Sequence, residues 1–263
     1  MEQFAVQGQY LLKLKEDDMP PNPRDEADNF GTMVCFHPRY RLGDAHSYRD
    51  SDDFLLDVLS DTLGSDEEAE RFREHIRDNF DHEAMGWPTY DRAVDDCLLK
   101  EISKNNVILP LYLYDHSGIT INTTGFSCPW DSGQVGWIYA TEDAVLKDFG
   151  GKLLNKDNRA QAEKLLAAEV KQYDHYLRND CYRYELYENG EEIDSCSGFL
   201  GDIDEVRNAL KSYLQEECQG MVEMLEESPP PRRHTIKELM DLARARQASQ
   251  ISPASGRLCS EAR

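Results

Sequence analysis

No apolar run in this 263-residue chain approaches the ~20 residues that a membrane-spanning helix requires. The opening stretch MEQFAVQGQYLLKLKEDD lacks the basic start and apolar centre of a secretory signal. No two cysteines have CxxC spacing. The seven present (Cys35, Cys97, Cys128, Cys181, Cys196, Cys218, Cys259) are odd in number and scattered, a pattern of reduced thiols rather than of a disulfide framework. The phosphate-cradling patterns GxGxxG and GxxxxGK[ST] do not occur, nor does the GxSxG turn that presents a serine nucleophile. A cytoplasmic protein with no cofactor is the expectation.

Basic residues are scarce as well. The chain has 29 Lys and Arg against 51 Asp and Glu, a formal net charge of -22. From Pro229 onward seven bases face three acids, a net of +4, so residues 1–228 carry -26. Such a body repels nucleic acid and anionic membrane and attracts basic surfaces over about a Debye length. Direct nucleic-acid binding by the body and membrane association are therefore not expected. Hydrophobic residues make up 40%, enough for a packed core.

Residues 8–15 alternate weakly and suggest a first strand, and FGTMVCFH (30–37) suggests another, ended by Pro38. Helical spacing follows in SDDFLLDVLSDTLG, where Phe54, Leu55, Val58, Leu59 and Leu63 share a face and Gly64 is the stop. Ser65 and Glu68 read as a capping box for a second helix with Ala69, Phe72, Ile76 and Phe80 inward. A third helix is expected over 91–104, with Val94, Leu98 and Ile102 inward. Residues 107–114, 119–124 and 134–140 read as strands, although Pro110 asks for an edge or a bulge. A short helix capped by Thr141, a long one over 158–177 and a hairpin over 181–197 turning at Asn189-Gly190 come next. Asp202 and Glu205 then box a helix running to about 227.

The expected fold is α+β: one antiparallel sheet packed by several helices, with a flexible basic C-terminal tail. Residues 1–228 are expected to form an acidic globular domain, with a sub-boundary near 150–158. Residues 229–263 are expected to be largely disordered, with a short helix near 235–247.

Residues 50–96 hold sixteen acids and four arginines, so this helical stretch carries -12. On the second helix Glu67, Glu70, Glu74, Asp78 and Asp81 recur every three or four residues, which sets neighbours about 5–6 Å apart. Such a row imitates the charge of one DNA strand without its bases. Solvation alone explains such a face equally simply.

The segment 114–139 concentrates His116, Cys128, Asp131, Trp130 and Trp137 among turns. Its Asp-His-Ser-Gly and Trp-Asp-Ser-Gly runs also serve as plain turn formers. His116, Cys128 and Asp131 are the catalytic candidates, and the two tryptophans join the acidic row as binding candidates. Cys35, His37 and His46 are candidate metal ligands, in a spacing that matches no standard zinc pattern.

DNFGTMVCFHPRYRLGDAH (28–46) together with LPLYLYDHSGITINTTGFSCPWDSGQVGWIY (109–139) resembles a family of uncharacterised proteins encoded by bacteriophages, plasmids and related mobile elements. The resemblance covers roughly the first 150 residues and continues more weakly beyond them. It implies a mobile-element context and raises counter-defence as a role. It carries over no catalytic residue. The leading expectation is a non-enzymatic acidic binding protein of the anti-restriction or anti-CRISPR type, its partner a host protein with a basic surface, such as a nuclease or defence complex. The alternatives are a small hydrolytic or metal-assisted enzyme using 114–139, and a regulator or scaffold of the element.

All seven cysteines are expected to be unpaired. Alkylation of freshly lysed protein and non-reducing mass analysis should show seven modified cysteines; a consistent shortfall of two would overturn this.

Overall fold

The computed structural model describes residues 2–25 and 28–227, together with Ile236, Lys237, Met240, Asp241 and Arg244. In chain order the first elements are β1 (Glu2–Gln7), β2 (Tyr10–Glu16), β3 (Thr32–Cys35), α1 (Ser51–Leu63), α2 (Asp66–Asp78), α3 (His82–Met85) and α4 (Trp87–Ile102). They continue with β4 (Asn106–Asp115), β5 (Ile119–Asn122), β6 (Ser132–Thr141), α5 (Glu142–Phe149), α6 (Lys156–Leu177), β7 (Cys181–Glu188), β8 (Glu191–Leu200) and α7 (Ile203–Leu210). A 3₁₀ helix (Glu216–Met224) and the short β9 (Glu226–Glu227) follow. The class is α+β and the strand pairing antiparallel, but there are two sheets where one was expected. Alternation marks a strand without saying which sheet it joins. The chain divides into two compact units, Met1–Pro20 with Asn179–Arg263, and Pro21–Arg178.

In the first unit the strand order is β8-β7-β2-β1-β9. β1 and β2 form a hairpin in which Gln7 pairs with Tyr10 across Gly8 and Gln9, and Gly8 takes φ +61°. The strand expected over 8–15 starts instead at Tyr10, past this turn, and β1 precedes it as an additional strand. Asn189 and Gly190, at φ +51° and +92°, make the expected tight turn between β7 and β8. Bulges shift the register, so Cys181 faces Leu200 and Tyr184 faces Cys196. One sheet face packs Ala5, Leu12, Leu14, Tyr184 and Leu186 against Val206, Leu210, Cys218, Met221 and Val222. The expected helix to 227 breaks after α7, although its apolar spacing persists. Ser212 Oγ donates to the Ala209 carbonyl at 2.7 Å, competing with the ladder, and Asp202 makes no side-chain cap. On the other face Met240 is buried against Phe4, Val6, Leu11 and Tyr187. Apart from the five residues named above, the tail from 229 and its expected helix lie outside the described residues.

The second unit has the order β3-β6-β4-β5, with helices on both faces of the sheet. Successive residues alternate between two cores. Met33, Cys35, Leu111 and Ile138 face α5 and α6, whereas Val34 and Trp137 face Phe54, Leu55, Val94 and Leu98 of α1 and α4. Pro110 sits where β4 pairs only with β6, and the ladder is irregular just beyond it, as its missing N–H requires. Ser65 caps α2 by accepting the Glu68 amide at 3.2 Å, and Gly64 ends α1 at φ +86°. α4 begins at Trp87 rather than near 91, because Pro88 is tolerated in a first turn. α3, a single turn capped by Asp81, was read as a break. α6 starts at Lys156, where Asn155 and Asn158 form the capping box.

An ionic knot ties this unit together. Arg24 is only 7% exposed. It grips both oxygens of Asp44 at 2.8 Å, reaches Glu169 of α6 at 2.9 Å and donates to the Gly31 carbonyl at 2.6 Å. The carboxylates accept in turn from the backbone: Asp44 from the Met33 amide, Glu169 from those of Phe30 and Gly31. Burial alone would lower the Arg24 pKa. The hydrogen bonds and charges of Asp44 and Glu169 outweigh it and raise the value.

Gly136 of β6 crosses β3 closely. A Cβ there would collide with the Val34 carbonyl oxygen and lie 2.9 Å from Cα of Cys35, at φ +157°. Gly136→Ala should therefore cost about 3 kcal/mol in chemical denaturation. Gly133→Ala, with nothing within 4 Å of its added Cβ, should be close to neutral. Equal stability of the two variants would contradict this packing.

Candidate functional site

The acidic residues of 50–96 spread over α1, α2 and α4, whose inner sides hold the Phe54–Leu55–Val94–Leu98 core. Glu67, Glu74 and Asp78 lie exposed on one side of α2 and have no ion-pair partner among the described residues. Glu70 differs. It is half-buried and bound to Arg73 at 2.5 Å. Asp81 does not belong to this row, because α2 ends at Asp78. Its carboxylate instead accepts the Glu83 and Ala84 amides as the cap of α3. Arg77 reaches back to Asp52 of α1 at 2.9 Å, and Arg49 holds Asp53 at 2.9 Å.

Asp95 of α4 was not singled out from the sequence, yet it reports the local field most directly. It is pushed up to about 6 by burial and by the like charges of Asp52, Asp91 and Asp96, with Arg77 opposing weakly. A sequence cue exists: Asp91 and Asp95 are four apart on one helix and Asp96 adjoins them. Nearby, burial together with Asp57 and Asp61 raises the Tyr139 hydroxyl.

The segment 114–139 brings its three catalytic candidates into one chain of contacts. His116 Nδ1 lies 3.5 Å from Asp131 Oδ2, and the Cys128 thiol lies 3.7 Å from the same oxygen. The order is unsuited to nucleophilic catalysis, since the carboxylate stands between thiol and imidazole. The turns that hold them are built from backbone bonds, Asp115 N to the Asp131 carbonyl and His116 N to the Gly118 carbonyl. Asp115 itself is engaged by Arg39.

The tryptophans separate. Trp130 is 91% exposed, whereas Trp137 is 6% exposed and stacks on Phe54 with ring centroids 5.6 Å apart. Trp137 is thus a core residue, because β6 is buried on both faces and its alternation turns this ring inward. An exposed aromatic missed from the sequence, Trp87, packs edge-on against His82 at 4.5 Å.

Cys35, His37 and His46 do not assemble as metal ligands: their donor atoms do not come together within 4.8 Å of one another. β3 ends at Cys35, so the expected alternation stops before His37. The Cys35 thiol is pushed up to about 12, by burial and then by Asp44, and so stays protonated. His37 Nδ1 accepts the Arg39 and Tyr40 amides at 3.2 Å, and His46 Nε2 bonds the Cys35 carbonyl at 3.0 Å. The six described cysteines are free. Among the described residues no helix is long and apolar enough to cross a membrane. Comparison with protein-family models, with curated proteins and with solved structures finds no match.

Asp95 makes stability depend on pH. Its raised value favours the folded state when it is protonated, so this contribution is full below the ordinary aspartate range and is lost as pH rises through about 6. Asp95→Asn should raise the melting temperature at pH 7 by a few degrees, and the gain should vanish near pH 4. A gain of equal size at both pH values would rule out the crowded-charge explanation.

Proposed function

We propose that this chain is a non-enzymatic acidic binding protein of a bacteriophage or related mobile element. It would occupy the nucleic-acid-binding surface of a host defence factor, such as a nuclease, as a DNA mimic. The observation that carries this reading is the exposed row of Glu67, Glu74 and Asp78 on α2, which has no ion-pair partner among the described residues and belongs to a helical stretch that carries -12. Like charges at these spacings destabilise a helix by a few tenths of a kcal/mol per pair. A surface tuned only for solubility gains nothing from concentrating them, since dispersed charge solubilises equally well. A basic partner recovers that repulsion on binding, steers to the surface over about a Debye length and is released by salt.

The hydrolytic alternative rests on the His116–Asp131–Cys128 contacts and separates cleanly from this one. Partner capture from the natural host at graded salt, with DNA as competitor, supplies the assay. Binding should fall steeply between low and high salt, and DNA should displace the partner. Reversing Glu67, Glu70, Glu74 and Asp78 to Lys should weaken it on the order of a hundredfold while the protein stays folded. Alanine at His116, Cys128 and Asp131 should leave it intact. Salt-independent capture, or full binding by the reversed protein, would reject the mimic.

A further inference from the structure

The loop between β3 and α1 has a charge character opposite to that of the helical layer. Residues 36–49 hold Arg39, Arg41, Arg49, His37 and His46 against a single acid, Asp44. Asp44 is already held by Arg24 and the Met33 amide. The loop lines a cavity of about 870 Å³, with Phe36, His37, Tyr40, Arg41 and His46 on its wall. That volume suits a small-molecule site of roughly 300–1,000 Å³.

Three features of the wall go beyond its size. First, Arg41 is exposed and carries no ion pair or hydrogen bond among the described residues. Arg24, Arg39, Arg49, Arg73 and Arg77, by contrast, each hold a carboxylate. Second, His37 Nδ1 accepts two amides, so the ring proton sits on Nε2 as a donor whose direction the turn fixes. Third, the His37 and Tyr40 rings stack within 14° of parallel, 4.8 Å apart, with the Arg39 guanidinium over the Tyr40 ring, so the turn holds the His37 ring in place. Asp25, exposed and also on the wall, offers a carboxylate acceptor for hydroxyl groups.

We propose that this cavity binds a phosphate monoester carried on a planar ring, with a mononucleotide as the class that fits. Arg41 takes two phosphate oxygens with its planar fork, and His37 Nε2–H adds a third donor. The Phe36 and His37 rings supply stacking surface for the base, and Asp25 accepts from the ribose hydroxyls. The ligand is expected to bind in this unit independently of any partner on the acidic helices.

Calorimetric titration of the full chain with adenosine or uridine 5′-monophosphate at low salt tests this, with adenosine and uridine as phosphate-free probes. Saturable binding of at least one monophosphate is expected, weakened about tenfold or more when the phosphate is absent. Arg41→Ala should weaken it by a similar factor without shifting thermal unfolding. Arg92→Ala, which removes an arginine of α4 far from the cavity in sequence and without a partner among the described residues, should change nothing. The proposal is overturned if neither monophosphate binds at millimolar concentration, if the nucleosides bind as tightly, or if Arg41→Ala binds like the native chain.

Discussion

The buried guanidinium of Arg24 holds together parts of the second unit that no ladder joins. It lies between Asp44, in the loop after β3, and Glu169, in the middle of α6, and the two carboxylates also satisfy the amides of Phe30, Gly31 and Met33. Removing a charge from water costs several kcal/mol, and attraction offsets this only where the remaining donors and acceptors are filled. Here they are, which is why an arginine can be nearly as buried as the leucines around it. Gly31 follows from the same closeness, since a Cβ there would drive into Leu166 of α6. The loop carrying His37, Arg41 and His46 leaves β3 next to this knot, and Gly43 bridges back to Val34 of β3.

The acidic layer depends on a different balance. α1, α2 and α4 are held by a shared apolar core, so their outer faces are free to carry charge that an isolated helix would not tolerate. Arg77 cross-links α2 to α1 through Asp52 and Arg73 holds Glu70 within α2, while Glu67, Glu74 and Asp78 have no ion-pair partner among the described residues. The body thus segregates its charge. Repulsion concentrates on one helical layer, and the cationic loop after β3 runs directly into it, with Arg49 holding Asp53 of α1.

Elements governed by local chemistry were legible in advance. The Ser65 cap, the Gly64 stop and the Asn189-Gly190 turn depend on a few adjacent residues and fall where their residue types place them. What depends on distant pairing was not. Nothing adjacent to β2 says that it joins β7, nor that β6 is buried on both faces, so Trp137 stood as a binding candidate and one sheet stood for two. The acidic row was legible in its register for Glu67, Glu74 and Asp78, but Asp81 was assigned to a helix that had already ended. Asp95 escaped notice because its character comes from α1 as much as from its own helix. His116, Cys128 and Asp131 of 114–139 are neighbours in space as in sequence, whereas their order around Asp131 is a matter of tertiary geometry alone.

The first unit is assembled from strands far apart in the chain: β2 ends at Glu16, and its partner β7 starts at Cys181. During synthesis at 5–20 residues per second, the β1–β2 hairpin therefore waits roughly 10–30 s for its neighbour. An isolated two-stranded hairpin is marginal in water, and this one keeps Leu11, Leu12 and Leu14 uncovered until β7 arrives. The second unit is continuous in sequence and needs no such delay. Nascent chains stalled between the two stages would expose an apolar ribbon, and the burden of keeping it from other chains falls on the translating cell rather than on the finished fold.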